Sequence, residues 1–295
     1  MKQDITELFC LIDDFTKYYA DSMKAKQLSS ALISPVCRTR ITGLAPSEII
    51  CIILLFQTSP CKNFKYFYNS YAQLYKPEFP GMPCYARFVA LMPRVMHIMA
   101  MLTQSLLSKK TSKEHFVDAT SLAVCSTKRI SSHKVMKGLA RIGKTTKGWF
   151  FGFKLHIVIN TKGEIVNLKL TRGNRADVSV LDEITNGISG AVFGDKAYIS
   201  KKLFLSLYKR GLKLVTSVKK GMTGFLMTAH EKLMLRKRSL VETVFDYLKN
   251  KFQLEHTRHR SPYNYLIHIM STIIQYQLKS SKPSIALASM TFINP

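Results

Sequence analysis

Two short apolar stretches that each end in a lone aspartate constrain the fold of this chain most. Asp118 follows His115–Val117, and Asp195 follows Ala191–Gly194. Both stretches have the length and residue types of buried strands. A third acid, Glu242, lies instead in a helical pattern. Strands that end in carboxylates and are followed by helices predict an α/β fold whose acids line one crevice of the sheet.

Basic residues dominate the surroundings of these three acids. Residues 119–162 contain nine Lys or Arg and no acid, and residues 196–230 contain eight and no acid. The whole chain has a formal net charge of +26, and residues 111–295 carry 31 basic against 11 acidic side chains. Such a field attracts polyanions, of which nucleic acid is the one favoured here. Carboxylates kept beside a polyanion indicate a divalent cation such as Mg²⁺, which prefers oxygen ligands.

Membrane and zinc functions are disfavoured by the sequence. The longest apolar stretch, Ile49–Phe56, is about half the length of a bilayer span. A longer stretch, Phe88–Leu107, contains Pro93, Arg94 and His97. The six cysteines form no CxxC pair, which indicates buried, reduced thiols in a cytosolic protein. We therefore expect no membrane partner and a cytoplasmic location.

Residues 1–110 are predicted to be helical and to form a separate domain. Apolar side chains recur every three or four residues from Ile5 to Tyr19, and Pro46 is typical of a first helical turn. A further helix begins near Pro83 and should bend or break at Pro93. Two interpretations remain open for this domain: a helix-turn-helix bundle that reads DNA, or a bundle whose aromatic stripe is core. The first would use four cations: Lys62, Lys65, Arg87 and Arg94.

After residue 110 the pattern changes to alternating strands and helices. Three antiparallel-looking strands, a helix, then strand, helix, strand and a last helix predict a ribonuclease-H-like mixed sheet of five strands with flanking helices. This catalytic domain should cover residues 111–280, and residues 281–295 should form a loose tail. The predicted strands are Phe116–Cys125, Trp149–Asn160, Ile165–Leu170, a strand that ends at Asp195, and Leu212–Val218. The predicted helices are Ala176–Gly187, Lys201–Arg210 and Glu231–Phe252.

In that order the first and fourth strands are adjacent and parallel, so Asp118 and Asp195 should face one crevice. Val241, Val244 and Leu248 form an apolar stripe that would pack the last helix on the sheet. Glu242 lies beside that stripe and can then complete a metal site. Two metal ions held there would suit the cleavage of a phosphodiester.

Several other polar residues have two open interpretations. Asp246 is either a fourth ligand or a solvated neighbour of Lys249 and Asn250. Asp177 fits a helix N-cap better than a metal ligand. Four cations are predicted to contact DNA or, alternatively, to form ordinary polar surface. They are Lys154 on a strand face shared with His156, Lys249, and Arg258 and Arg260 in a basic run after the last helix.

The segments around the three acids resemble the DDE transposases of bacterial insertion sequences. They are “FVDAT”, “VFGDKAY” and “RSLVETVFDYLKNKF”. Arg238 precedes Glu242 by four positions and Lys249 follows it by seven, as in the third-acid signature of that group. Leu235 stands where an aromatic residue often precedes the arginine, so the chain departs from the signature there. Similarity along nearly the whole chain, including “ITELFCLIDDF” and “RHRSPYNYLIHI”, resembles the family numbered nine-eighty-two.

The resemblance implies an enzyme that cuts DNA at element ends and joins the freed 3′-hydroxyl to target DNA. Asp118, Asp195 and Glu242 would be its catalytic residues and would bind two Mg²⁺ (or Mn²⁺) ions, while Arg238 and Lys249 would hold DNA phosphates. The implied partners are double-stranded DNA and a second copy of the chain, in the nucleoid-associated cytoplasm of a bacterium. Two alternatives remain open: a DNA-binding protein without catalysis, and a metal nuclease that cuts without joining.

Overall fold

A computed structural model describes residues 4–29, 43–108, 112–146, 148–217, 227–255 and 259–285. The chain divides into two compact units. The helical unit comprises Met1–Leu106 and Arg260–Tyr276, and the sheet unit comprises Leu107–His259 and Gln277–Pro295. The sequence predicted a similar first boundary, near residue 110.

The helical unit is built from helices that the apolar periodicity predicted, with irregular turns between them. The predicted break at Pro93 is a 3-10 turn, Met92–Val95, between two α-helices. The α-helices are α1 (Ile5–Ser29), α2 (Pro46–Thr58), α3 (Phe64–Tyr66), α4 (Tyr85–Leu91) and α5 (Met96–Ser105), and α10 (Pro262–Leu278) begins in this unit. A π-helical turn (Phe67–Tyr71) and a 3-10 turn (Ala72–Tyr75) extend α3.

Aromatic side chains form the core of the helical unit. Phe67, Tyr68 and Phe88 are almost wholly buried. The rings of Tyr68 and Phe88 lie 4.7 Å apart, and Phe64 contacts both. The aromatic stripe is therefore core, as the plainer of the two interpretations holds. The four cations that a DNA-reading bundle would use (Lys62, Lys65, Arg87 and Arg94) are exposed, and their role in DNA binding stays a prediction.

The assignment of α10 differs from the sequence prediction, which placed residues 111–280 in one catalytic domain. Residues 260–276 belong instead to the helical unit. Gln57 Nε2 donates to Ser271 Oγ (2.8 Å), and Gln275 Nε2 donates to the Leu54 carbonyl (3.1 Å). Ile267 and Ile274 are fully buried. Such long-range packing of an apolar helix leaves no local sequence signal, because any core can bury the same stripe.

One segment of the helical unit meets the length and composition of a membrane span. Tyr85–Ser105 is long and apolar enough to cross a bilayer, as the buried core helices of many water-soluble proteins also are. The 3-10 turn Met92–Val95 interrupts it.

The sheet unit contains six strands in the order β2-β3-β1-β5-β6, with β4 also paired to β3. β2 pairs with the first residues of β3, and β4 pairs with its later residues along the same edge. β1, β3 and β4 are antiparallel, whereas β1, β5 and β6 are parallel. The strands are β1 (Glu114–Cys125), β2 (Arg141–Thr145), β3 (Gly148–Asn160), β4 (Ile165–Arg172), β5 (Gly190–Gly194) and β6 (Leu212–Thr216).

The five predicted strands are all present, but the predicted number of strands was wrong by one. β2 lies within the basic segment that was left without a strand, and only Gly143 of its five residues is buried. A strand that is exposed along most of its length lacks the apolar alternation by which strands are recognised.

Helices cover the sheet, and the one that carries Glu242 is not continuous. α8 (Ala229–Lys237) and α9 (Ser239–Asp246) are separated at Arg238, and a π-helical turn (Tyr247–Lys251) follows α9. The predicted apolar stripe is buried: Val241, Val244 and Leu248 are fully inaccessible. The remaining α-helices are α6 (Val178–Ile184) and α7 (Lys201–Lys209). The polypeptide turns after α7 at Gly211, whose φ of +76° favours glycine.

The described part of the predicted tail contacts the sheet unit. The Ile285 N–H donates to the Thr161 carbonyl (2.9 Å), and Lys282 Nζ donates to the carbonyls of Gln277 and Lys279. Residues 286–295 lie outside the described residues. Among the cysteines that the structure describes, which form no disulfide, Cys51, Cys61 and Cys125 are buried, whereas Cys10 and Cys84 are exposed, so burial was predicted too broadly.

Candidate active site

The pairing of β1 with β5 brings Asp118 and Asp195 to the same level of the sheet. The last parallel pair is Phe116 with Phe193. Asp118 lies two residues further along β1, and Asp195 is the first residue after β5, so both acids lie just beyond the last parallel pair. Beyond Gly194 the chain leaves the sheet, and the Asp195 side chain accepts the Lys196 N–H (2.7 Å) at the start of a 3-10 turn.

Arg238 links the first and third acids. Its guanidinium lies 3.3 Å from Asp118 Oδ2 and 2.9 Å from Glu242 Oε1. The arginine sits at the break between α8 and α9, and Glu242 follows one turn later. Because α9 packs on β1, its Glu242 is directed toward the Asp118 level. We call Asp118, Asp195 and Glu242 the carboxylate cluster.

The three acids differ in their exposure to solvent. The Asp118 side chain is 24% exposed and that of Glu242 is 58% exposed. Burial is the main cause that raises the pKa of Asp118 to about 6. The Ala119 N–H and Arg238 oppose this increase, and the carboxylates of Glu242 and Asp195 add smaller raising contributions.

The donor set of the carboxylate cluster fits a divalent cation in chemistry and in charge. Two of the carboxylates, Asp118 and Glu242, share the Arg238 guanidinium, which leaves surplus negative charge that a hard cation would neutralise. The described residues contain no group of three His, Cys, Asp or Glu side chains close enough to hold a metal ion. Arg238 is the cation that occupies the space between Asp118 and Glu242. Metal binding would therefore require the carboxylates to converge and the guanidinium to yield.

A second polar group, which we call the Asp177 cluster, lies on the face of the sheet opposite to that of Asp118. It consists of Asp177, Lys154, His156 and Thr171. Lys154 Nζ is 3.0 Å from Asp177 Oδ1, and His156 Nε2 is 2.9 Å from Thr171 Oγ1. His156 Nδ1 is 3.9 Å from Asp177 Oδ1. Burial lowers the pKa of His156 to about 4, against the raising influence of Asp177.

Asp177 occupies the predicted N-cap position of α6, but its side chain does not cap the helix. The residue precedes α6, but its backbone is helical and its side chain makes no capping hydrogen bond. Lys154 accounts for its position instead, because their ion pair directs the carboxylate toward the sheet. The sequence separates the two by 23 residues, so only the fold could show this pairing.

Sequence reasoning missed Tyr198, although the residue belongs to the segment “VFGDKAY” that carries Asp195. Tyr198 is almost wholly buried, and its hydroxyl has no hydrogen-bond partner within the described part of the chain. Burial raises its pKa, and the carboxylates of Asp118 and Asp177 raise it further. Its ring lies beside Gly194 and packs in the same core as Val117. Its spacing from Asp195, three residues within one tight turn, was the available signal.

Two of the predicted DNA-contacting lysines are bonded to protein groups. Lys154 belongs to the Asp177 cluster, and Lys249 Nζ donates to the Ser121 carbonyl (2.9 Å) and to Glu255 Oε2 (3.0 Å). Glu255 also accepts the Ala123 N–H, so Lys249 and Glu255 tie the end of the Glu242 helix to β1. The contacts of Lys154 and Lys249 with DNA remain predictions.

The remaining predicted residues lie outside the carboxylate cluster. Asp246 accepts a hydrogen bond from Asn250 Nδ2 (2.5 Å). This contact agrees with the interpretation of Asp246 as a neighbour of Asn250 rather than as a fourth metal ligand. Arg260 is exposed and belongs to the helical unit. Arg258 lies outside the described residues.

Comparison with protein families identifies the catalytic class. A family model described as “Transposase DDE domain” matches residues 108–262. That range contains β1 through α9 and all three acids, and it covers more than half of the chain. The chain therefore belongs to the transposase DDE domain family and is a DNA transposase. Its more specific similarity to the family numbered nine-eighty-two remains a sequence-based expectation.

Comparison with solved structures gives a remote similarity. The chain is similar to a piggyBac transposase in a synaptic complex with hairpin DNA, with a TM-score of 0.46 and 11% sequence identity. The similarity covers 93% of this chain and 74% of that chain. A search of curated proteins gives no match.

Proposed function

We propose that this chain catalyses metal-dependent strand cleavage at the ends of a bacterial insertion sequence and transfer of the 3′-hydroxyl into target DNA. The observation that carries the proposal is the parallel pairing of β1, which contains Asp118, with β5, which Asp195 follows, together with the link from Glu242 to Asp118 through Arg238. The family supplies the reaction class. The strand order β4-β3-β1-β5-β6 supports a ribonuclease-H-like type of sheet.

In this proposal Asp118, Asp195 and Glu242 hold two Mg²⁺ (or Mn²⁺) ions. Such ions lower the pKa of the attacking water or hydroxyl and stabilise the leaving oxygen. Asp118 would provide a ligand from within β1, and Asp195 from the residue that follows β5. Glu242 provides a ligand from a helix that its buried stripe holds on β1.

Arg238 has two successive tasks in the proposed reaction. Without metal it neutralises part of the carboxylate cluster. Once metal ions replace it there, its guanidinium can turn toward a DNA phosphate, for which its planar donors are suited. Lys249 contributes less directly, because its contacts with Ser121 and Glu255 hold the end of the Glu242 helix in place.

The proposed partners are duplex DNA and a second copy of the chain. The excess of basic residues in positions 111–295 supports the first. Joining two element ends in one event supports a dimer on DNA. The proposed location is the nucleoid-associated cytoplasm of a bacterium.

The test is an incubation of the full chain with a labelled duplex taken from the DNA that flanks its reading frame. We expect nicked and joined products only when Mg²⁺ or Mn²⁺ is present, and neither product from Asp118→Asn or Asp195→Asn. Cleavage that survives both substitutions would refute the assigned roles. Cleavage without joined products would instead identify a nuclease.

One observation favours a second candidate, a DNA-binding protein without catalysis. Arg238 already satisfies Asp118 and Glu242, as a permanent structural ion pair would. This candidate predicts duplex binding that is unaffected by divalent cations and no nicking under any condition. Calorimetric titration with Mn²⁺ separates the two candidates, because only the enzyme should bind the ion through its carboxylates.

A further inference from the structure

The hairpin formed by β2 and β3 presents large apolar side chains to solvent. Trp149 is 62% exposed, and Ile142 and Leu139 are also exposed. Trp149 is the only tryptophan in the sequence. Exposed apolar groups gathered on one short segment indicate an interaction surface rather than chance.

The charge around this hairpin indicates the kind of partner. Within the described residues, no carboxylate forms an ion pair with a basic side chain between Lys128 and Lys144. Lys144 Nζ lies 5.4 Å from the centre of the Trp149 ring, a cation–π contact. The basic side chains of this segment are all exposed: Lys128, Arg129, Lys134, Lys137, Arg141 and Lys144. Since no acid interrupts residues 119–162, a polyanion fits this surface and an acid-poor protein partner does not.

The hairpin is held in a defined shape. Lys144 pairs with Trp149 and Ile142 pairs with Phe151 in antiparallel register, so these four side chains share one face. Phe151 is buried beneath the preceding turn. On the other face, a Cβ at Gly143 would collide with the carbonyl of Gly173, which follows β4. β2 is therefore fixed closely against the sheet, and its exposed residues are presented by a rigid element.

Two features fit this element to duplex DNA. The major groove admits a two-stranded β-ribbon. In addition, Trp149 lies eight residues along β3 from Ile157, the partner of Asp118. At a strand rise of about 3.3 Å per residue, Trp149 lies roughly 26 Å along the sheet from the position of Asp118. That span corresponds to about eight base pairs of one continuous duplex.

We propose that the β2–β3 hairpin is a DNA-binding element that enters the groove of a duplex through Trp149 and Lys144, apart from the carboxylate cluster. The inference rests on the proposed function only in that both need duplex DNA as partner. The hairpin positions DNA and takes no part in the chemistry.

Tryptophan fluorescence of the full chain, excited selectively over its tyrosines, tests the proposal directly, because Trp149 is the only tryptophan. Addition of a duplex should shift or quench the emission, and salt should reverse the change. Binding is measured in parallel from the anisotropy of labelled DNA. We expect Trp149→Ala to raise the Kd about tenfold, while Trp149→Phe retains most of the affinity. Lys144→Gln should reduce the slope of log Kd against log salt by about one.

The matched controls lie on α7 of the same unit. Tyr208 is 64% exposed, and Lys209 is exposed beside it. Tyr208→Ala and Lys209→Gln should leave the Kd within about twofold of the wild-type value. Circular dichroism establishes that each variant is folded.

The outcomes separate this inference from the proposed function. Normal DNA affinity with unchanged Trp149 emission and a wild-type Kd for Trp149→Ala would overturn the hairpin proposal, while metal-dependent cleavage would still stand. A fluorescence response with no cleavage under any condition would support the hairpin and refute the enzyme. Tighter binding and stronger quenching by a single strand of equal length would overturn the duplex as partner.

Discussion

The carboxylate cluster and the Asp177 cluster lie on the same two strands and differ in their charge balance. Asp118 is opposite Ile157 and His156 is opposite Ala119, so strand alternation directs the two clusters to opposite faces of the sheet. In the Asp177 cluster one carboxylate is matched by Lys154 and a neutral histidine. In the carboxylate cluster Arg238 pairs with Asp118 and Glu242, and Asp195 has no ion pair within the described residues.

The difference in charge balance indicates which of the two polar clusters has a structural role. A balanced cluster satisfies its own charges and can serve packing. In the carboxylate cluster, burial raises the pKa of Asp118 and the neighbouring acids add to that increase, so the site favours an added cation. Nearby acids are thus distinguished by what neutralises them rather than by residue type.

The largest expected effect separates the two clusters by activity. Asp118→Asn should lower strand cleavage on the order of 10²–10³-fold, the loss typical of removing one group that stabilises developing charge. Asp177→Asn should stay within about tenfold of wild type, because that carboxylate lies on the other face. Single-turnover cleavage of a labelled duplex measures both. Equal losses of strand cleavage from the two substitutions would show that the two clusters do not differ in their role in catalysis.

The next effect is on stability against pH, where the clusters should act in opposite directions. The pKa of Asp118 is raised to about 6, so deprotonation from about pH 4 to about pH 6 costs the folded state more than the unfolded state. The free energy of unfolding then falls by up to about 3 kcal/mol as pH rises through that window. The pKa of His156 is lowered to about 4, so the same free energy rises by a similar amount between about pH 4 and about pH 6.5.

Urea unfolding of the metal-free chain at several pH values measures these slopes. In the wild type the two contributions largely cancel below about pH 6. Asp118→Asn should therefore make stability rise more steeply with pH, and His156→Gln should make it fall. Identical slopes for wild type and both variants would show that neither group titrates as its surroundings indicate.

A smaller effect concerns Arg238 as the cation that divalent metal must displace. Arg238→Gln should tighten Mn²⁺ binding in the absence of DNA by up to about tenfold, because the carboxylates lose a competing partner. Arg236→Gln is the control, because Arg236 is exposed and its substitution removes the same positive charge. Calorimetric titration gives the Kd for each variant. Weaker Mn²⁺ binding by Arg238→Gln would mean that the guanidinium orients the acids instead.

The smallest effect compares the lysine of each face. Lys154→Ala and Lys249→Ala should each lower the free energy of unfolding by about 1 kcal/mol, since each lysine donates to groups within the protein. Exposed Lys209 supplies the control variant, which should change it by less than about 0.5 kcal/mol. Unchanged stability with weaker DNA binding would return both lysines to the DNA-contacting role predicted from the sequence.

Local patterns predicted the strands of the sheet unit well. Phe116–Cys125, Trp149–Asn160 and Ile165–Leu170 each fall within an observed strand, because buried strands leave continuous or alternating apolar runs. The same rule explains the missed strand β2, whose residues are mostly exposed. It also explains why the break at Arg238 was not foreseen, since no proline or glycine marks it.

Partnerships across the chain could not be predicted in this way. The pairs Lys154–Asp177 and Lys249–Glu255 join residues whose separation follows no helical or strand period. The sequence pattern of α10 indicates an amphipathic helix that could belong to either unit. Only specific contacts such as Gln57 with Ser271 decide between them.

The sequence by itself determined the elements, the excess of positive charge and the identity of the three acids, because these depend on composition and on spacing along the chain. Tertiary structure alone decided that Asp118 and Asp195 lie level, that Arg238 stands between Asp118 and Glu242, and that Asp177 belongs to another face. The physical reason is that strand register and helix docking are set by burial summed over the whole sheet unit. No short segment contains that information.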